Sequence, residues 1–154
     1  MKITSSAFEN NTSIPAKYTC DGERINPPLI FSEIPSESKS LALFVEDPDV
    51  PKELRPDGLF VHWMVWNIDP KTTEIPENST PNGIIGPNTR GVNAYAPPCP
   101  PDREHRYFFK LFALDTSLDL PTTASREEFL EAIQGHIIEE AQIIGLYERE
   151  TSNH

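Results

Sequence analysis

The sequence predicts a mainly β protein, an antiparallel β-sandwich of Greek-key-like topology with one or two short helices near the C-terminus. Three observations predict it. Sixteen prolines in 154 residues interrupt long helices, because proline lacks the donor that a helix interior needs. Residues 39–46, 59–68 and 107–114 are apolar runs of strand length, rich in β-branched and aromatic side chains and bounded by turn signals. In 59–68 both alternate faces are apolar, so that strand needs cover from two sides.

In chain order, residues 14–19 read as an edge strand, where Pro15 and Lys17 are tolerated. Cys20-Asp21-Gly22-Glu23 is a turn, and Leu29-Ile30-Phe31-Ser32 a short strand. Residues 39–46 form the clearest buried strand, and Asp47-Pro48-Asp49-Val50-Pro51 leaves its end. Pro56-Asp57-Gly58 turns the chain into 59–68. There, period two puts Phe60, His62, Met64, Trp66 and Ile68 on one face and Val61, Trp63 and Val65 on the other. Residues 69–104 are long and irregular, and Ile84, Ile85, Val92 and Tyr95 argue that they are ordered. Proline-dense 96–101 cannot sit in a central strand and suits a stiff wall. On the following strand, His105, Tyr107, Phe109 and Leu111 share a face. Ser125-Arg126-Glu127-Glu128 is a capping box that opens a helix, which Gly135 ends. Residues 136–142 read as a second short helix and 143–147 as a last strand. There is no repeat and no linker, so residues 1–154 read as one domain.

A net charge of −11 and a pI near 4.7 exclude a general nucleic-acid binder and adsorption to anionic membranes. Cys20 and Cys99 are too few for a disulfide scaffold or a zinc cluster, and whether they pair is left open. The N-terminus lacks the apolar stretch of a signal peptide, and no run reaches the length of a membrane span. A soluble cytoplasmic protein is expected.

The chemistry concentrates near strand ends. Pro48 locks the backbone between Asp47 and Asp49, so the two carboxylates leave the end of a buried strand pointing the same way. Taken alone this is an ordinary acidic turn. His62 and His105 lie on or beside strands, whereas His136 and His154 are peripheral. One strand histidine is more often a packed core residue than a ligand. Together with Tyr107 and the proline cluster, these residues form the usual lining of a small polar pocket. Nucleophile elbow, zinc-protease, phosphate-loop and dinucleotide signatures are absent, so no catalytic residue is assigned. Two weaker alternatives remain. Cys99 with His105 could act as a thiol nucleophile, and Asp47, Asp49, His62 and His105 could bind a metal, although their spacing matches no metal motif.

Residues 40–51, Ser40 through Asp47-Pro48-Asp49-Val50-Pro51, resemble the first signature of the phosphatidylethanolamine-binding protein family, which includes Raf kinase inhibitor protein. Val61-His62-Trp63-Met64-Val65-Trp66-Asn67-Ile68 is similar to its second block, and Pro98-Cys99-Pro100-Pro101 with His105-Arg106-Tyr107-Phe108-Phe109 to its third. Cys20-Asp21-Gly22, Asn26-Pro27-Pro28-Leu29 and the stretch from Gly135 to Tyr147 resemble the bacterial and archaeal branch. The resemblance covers nearly the whole chain, with the blocks in order. It implies an antiparallel β-sandwich with an anion pocket at one end, formed by Asp47, Asp49, His62, Pro98, His105 and Tyr107. It further implies ligands such as phosphate, phospholipid head groups or nucleotides, partners among kinases or serine proteases, and a homodimer. No cofactor is implied. The chain departs from the pattern at Tyr95-Ala96-Pro97, where glycines are usual, at Asn88-Thr89, and in the glycine-free loop Asp102-Arg103-Glu104.

Two aspartates should repel phosphate, and three arrangements resolve this. An aspartate can accept from a histidine and favour the imidazolium that meets the anion. One of two close carboxylates can be protonated. Or a zwitterionic ligand can place its ammonium on the acids. The expected function is binding of a phosphate-bearing ligand without catalysis. Inhibition of a kinase or serine protease through surface loops is the alternative, and a metal-dependent hydrolase a more distant one.

Overall fold

The computed structural model describes residues 1–149; His154 lies outside them. Two sheets stack. The smaller has the order β1 (Lys2–Thr4), β3 (Leu29–Ser32), β6 (Glu74–Ile75). The larger runs β2 (Thr12–Ser13), β9 (Ile137–Tyr147), β8 (His105–Leu114), β4 (Ser40–Asp47), β5 (Phe60–Ile68), β7 (Ile84–Ile85). All pairings are antiparallel except β2 with β9.

β4 is buried at every position, and the two cores explain why. One core lies between the sheets and joins Ile3, Phe31 and Ile75 to Leu43, Val45, Phe109 and Leu111. The other covers the opposite face of the large sheet, where Phe44, Met64, Trp66 and Phe112 meet Phe129 and Ile133 of helix α1 (Arg126–Ile133). A central strand enclosed on both faces reads as a continuous apolar run. Phe129 stacks on Phe44 with ring centroids 5.4 Å apart. Both halves of the expected capping box form: the Ser125 hydroxyl accepts from Glu128 N–H at 3.1 Å, and the Glu128 carboxylate accepts from Ser125 N–H at 2.8 Å. Gly135 follows at φ 83°, the left-handed turn at which helices end.

Three sequence expectations are corrected. Residues 14–19 are not an edge strand: the chain pairs with β9 at Thr12–Ser13 and then turns through a 3-10 helix at Ala16–Tyr18. Pro15, extended at φ −56° and ψ 141°, provides the break between them. Residues 136–142 are not a helix. β9 is one strand from Ile137 to Tyr147, paired with β8 over nearly its full length. The helix-favouring composition of Glu139, Glu140, Ala141 and Gln142 yields to that long-range ladder, a tertiary override of local propensity. Third, strict alternation fails in β5. Ile68 joins Trp63 and Val65 between the sheets, while Val61 joins Met64 and Trp66 beneath the helix. Two register shifts against β4 cause this, one with Asn67 at φ 55° and one at His62.

Cys20 and Cys99 form a disulfide, with Cα atoms 5.4 Å apart across 79 positions of sequence. It pins the turn after the 3-10 helix to the proline cluster. No helix of the described residues is long and apolar enough to cross a membrane.

Candidate functional site

Register decides where the site lies. Asp47 of β4 pairs with Phe60 of β5, and Glu46 pairs with Phe108 of β8. The end of β4 therefore lies between the beginnings of β5 and β8, and their side chains converge on one end of the large sheet. A cavity of about 430 Å³ opens there. Asp47, His62, His105 and Tyr107 line it, walled by Phe60 and by Pro97, Cys99, Pro100 and Pro101.

His62 is the extra residue of the bulge, since Val45 faces Trp63 while Glu46 faces Val61. A bulge re-aims its side chain, and this one turns the imidazole in between Phe60 and Tyr107, with centroids at 4.6 and 5.2 Å. Nδ1 lies 2.7 Å from the Ala96 carbonyl, which can only accept, so Nδ1 carries the proton and Nε2 is the acceptor. Burial lowers the His62 pKa to about 4, which leaves the ring neutral near pH 7.

His105 is the opposite case. Its Nδ1 lies 2.6 Å from Asp47 Oδ2 and its Nε2 2.7 Å from Asp102 Oδ1. Both nitrogens face carboxylates, so both carry protons and the ring is an imidazolium. Burial pulls the His105 pKa down, but the bonds to Asp47 and Asp102 outweigh it, and the net shift is upward. The other oxygen of Asp47 accepts from the Asp49 N–H at 2.7 Å. Both oxygens of Asp47 are thus engaged. The geometry matches the arrangement in which an aspartate favours a neighbouring imidazolium.

The structure separates two of the six expected residues from the cavity. Asp49 turns outward and clamps Arg106 through the backbone N–H at 2.8 Å, Nε at 2.9 Å and Nη2 at 2.8 Å. Those bonds to Arg106 hold its carboxyl below the usual range against the opposing effect of burial. The i, i+2 reasoning fails here because Asp47 is still in the strand while Asp49 lies past the bend at Pro48 in irregular backbone. Pro98 is buried behind the wall, and its carbonyl accepts from Cys20 N–H at 3.0 Å; its neighbours face the cavity instead. The disulfide also takes Cys99 out of consideration as a free thiol nucleophile.

Several lining residues escaped the sequence reading. Arg90 is exposed at the mouth, and Arg55 is held by the Leu59 carbonyl at 2.8 Å. Thr89 is knitted to Val61 by reciprocal bonds of 2.7 and 3.0 Å, which fixes the loop bearing Arg90 against β5. The Asn88 side chain shapes that loop by accepting from Arg90 and Val92 N–H and donating to the Ala94 carbonyl. Asp102 does not line the cavity, but it bonds His105 Nε2 from three residues upstream, in a loop noted mainly for lacking glycine. The Tyr107 hydroxyl is buried without a hydrogen-bond partner, and burial drives its pKa upward. An unpaired buried hydroxyl costs about 1–3 kcal/mol, so a bound group that pairs with it gains that amount. Among the described residues, no group of three or more His, Cys, Asp or Glu side chains could hold a metal ion. His62 Nδ1 is instead directed at a carbonyl and both nitrogens of His105 at carboxylates.

The family described as phosphatidylethanolamine-binding protein matches residues 4–148. The chain belongs to the phosphatidylethanolamine-binding protein family. A UPF0098 protein of Chlamydia muridarum is 49% identical over 150 residues, covering 97% of this chain and 100% of the relative. One from Methanothermobacter thermautotrophicus is 46% identical over 155 residues, with 97% and 99% covered. The crystal structure of a phosphatidylethanolamine-binding protein homologue from Chlamydia trachomatis superposes with a TM-score of 0.94 at 47% identity, covering 97% of each chain. The Escherichia coli member YbcL gives 0.87 at 27% identity, covering 97% of this chain and 98% of that one. Within this phosphatidylethanolamine-binding protein fold, the three sequence blocks occupy the end of β4, the bulge of β5 and the start of β8, where the cavity opens.

Proposed function

We propose that this member of the family is a binding protein, not an enzyme, whose pocket takes small phosphate-bearing ligands such as phosphoethanolamine, lipid head groups or nucleotides. The observation that carries the reading is the His105 imidazolium, held between buried Asp47 and the more exposed Asp102, beside the unpartnered Tyr107 hydroxyl. A buried cation next to an unsatisfied donor is a built place for an anion. Arg90 and Arg55 add positive groups to the cavity lining of an otherwise acidic protein and favour entry of anions. The neutral His62 offers Nε2 to a hydroxyl or ammonium on the same ligand. The test is an NMR titration with inorganic phosphate and with phosphoethanolamine. Shifts of the His62 and His105 ring signals support the reading; if those stay fixed at millimolar ligand while distant signals move, the site is elsewhere.

A second reading has its own observation. Leu54, which lines the cavity, is 64% exposed, and Val92 is 54% exposed. Exposed apolar loop side chains, Leu54 among them at the cavity, suit docking to a kinase or serine protease. Inhibition that survives His105→Ala favours this reading, because surface docking does not need the pocket. A homodimer and a cytoplasmic location complete the proposal. The Cys20–Cys99 disulfide narrows the second to a cytoplasm that sustains disulfides, and thiol labelling in freshly lysed cells checks it.

A further inference from the structure

The cavity as it stands offers no free histidine N–H. His62 Nδ1–H is given to the Ala96 carbonyl, and the two N–H groups of His105 go to Asp47 and Asp102. An anion that is to meet His105 must replace one of these carboxylates. Asp47 is the wrong candidate: it is buried, it belongs to a central strand, and its second oxygen is fixed by the Asp49 N–H. Asp102 differs in every respect. Its side chain is 39% exposed, it sits in the loop between Pro101 and β8, and beyond His105 its carboxylate meets only the adjacent Arg103, through the backbone N–H and the guanidinium at 3.8 Å.

We propose that Asp102 is a built-in competitor for the ligand, its carboxylate holding the His105 Nε2–H position that an incoming anion takes when it binds. This inference rests on the anion-pocket reading above and adds its regulation and selectivity. In the empty protein the Asp102 cap satisfies the buried imidazolium, which would otherwise lack an acceptor. A phosphate dianion carries more charge and more acceptor oxygens than a carboxylate, so it displaces the cap. Tyr107, with its unpartnered hydroxyl, and Arg90 line the same cavity as His105, and Asp102 hydrogen-bonds neither. A weakly basic monoanion such as chloride gains too little to do so. The pocket thereby stays shut to abundant monoanions and opens to phosphate-like groups. Apparent affinity for phosphate is reduced by the fraction of molecules in the capped state.

The experiment measures inorganic phosphate binding at pH 7 by NMR, following the ring signals of His62 and His105, in wild type, Asp102→Asn, Asp102→Ala and Glu104→Gln. Glu104 is exposed in the same loop and its carboxylate neither hydrogen-bonds nor ion-pairs with His105, so it controls for removal of one negative charge. The expected result is binding about tenfold tighter in Asp102→Ala, a smaller gain in Asp102→Asn, less than about a twofold change in Glu104→Gln, and measurable chloride binding in Asp102→Ala alone. If wild type binds and the Asp102 variants bind equally or more weakly, Asp102 does not compete and the anion pocket stands without it. If Glu104→Gln tightens binding as much as Asp102→Ala, the effect is net charge and the competitor role is overturned. If no protein shows shifts of either histidine at millimolar phosphate, the anion-pocket reading falls and the cap with it.

Discussion

Asp47 meets His105 across 58 positions of sequence, Oδ2 to Nδ1 at 2.6 Å, from the last residue of β4 to the first residue of β8. The two strands are neighbours in the large sheet, and their register leaves little choice about the contact. Within 5.2 Å of Tyr107, whose ring also packs beside His105, stands a second histidine, His62, in the opposite protonation state. The same residue type is held cationic by carboxylates at one position and neutral by burial at the other.

Asp47→Asn separates charge from shape at this contact. The His105 pKa is raised in the folded protein, so its stabilising contribution is complete below the unfolded value near 6.5. That contribution fades as pH rises through the higher folded value. The variant is expected to lose about 2 kcal/mol of stability below pH 6.5 and less above it, measured by urea unfolding. Phosphate binding should weaken near pH 7, because less His105 is protonated. Unchanged binding across pH 5 to 8 would falsify the role of Asp47 as the group that charges His105.

For His62 the sign reverses. Its folded pKa of about 4 lies below the unfolded value, so protonation favours the unfolded chain. Unfolding free energy should therefore drop by up to about 3 kcal/mol as pH falls from 6.5 to 4 on account of this group. His62→Asn keeps a donor for the Ala96 carbonyl and does not titrate. Its acid limb is expected to be correspondingly flatter, and an identical limb in both proteins would refute the assignment.

Asp49→Asn discriminates between the two acids of the first block. Asp49 clamps Arg106, an exposed side chain, and does not line the cavity. Phosphate affinity measured by calorimetry should change by less than about twofold, and stability by about 1 kcal/mol or less. A loss of binding comparable to that of Asp47→Asn would return Asp49 to the pocket.

Reduction of the Cys20–Cys99 disulfide removes a cross-link between residues 79 positions apart. Chain entropy predicts a loss of about 4.5 kcal/mol, read as a lower guanidinium midpoint with a phosphine reductant or in Cys20→Ser. Cys99 is also part of the cavity wall, so phosphate should bind more weakly to the reduced protein. Equal affinity in both redox states would show that the proline cluster holds its shape without the tether.

The elements legible in the sequence were those written in local chemistry. β4, β5 and β8 followed from apolar runs of strand length, and α1 from a capping box at one end and Gly135 at the other. β9 was not legible over 137–142, because its strand state comes from pairing with β8 rather than from its own residues. The bulge at His62 was invisible for a related reason: a bulge is a count of two residues against one on the partner strand, and the partner has to be known.

For the site, the sequence by itself determined the chemical inventory: Asp47, His62, His105 and Tyr107 near strand ends, with a stiff proline wall behind them. Only the tertiary structure decided their relationships. Proton placement on a histidine depends on the atom opposite each nitrogen and on its burial, and both are set by register and packing. That is why Asp49 and Pro98, adjacent in sequence to lining residues, lie outside the cavity, while Arg90 lines it and Asp102 reaches its chemistry through the bond to His105 Nε2.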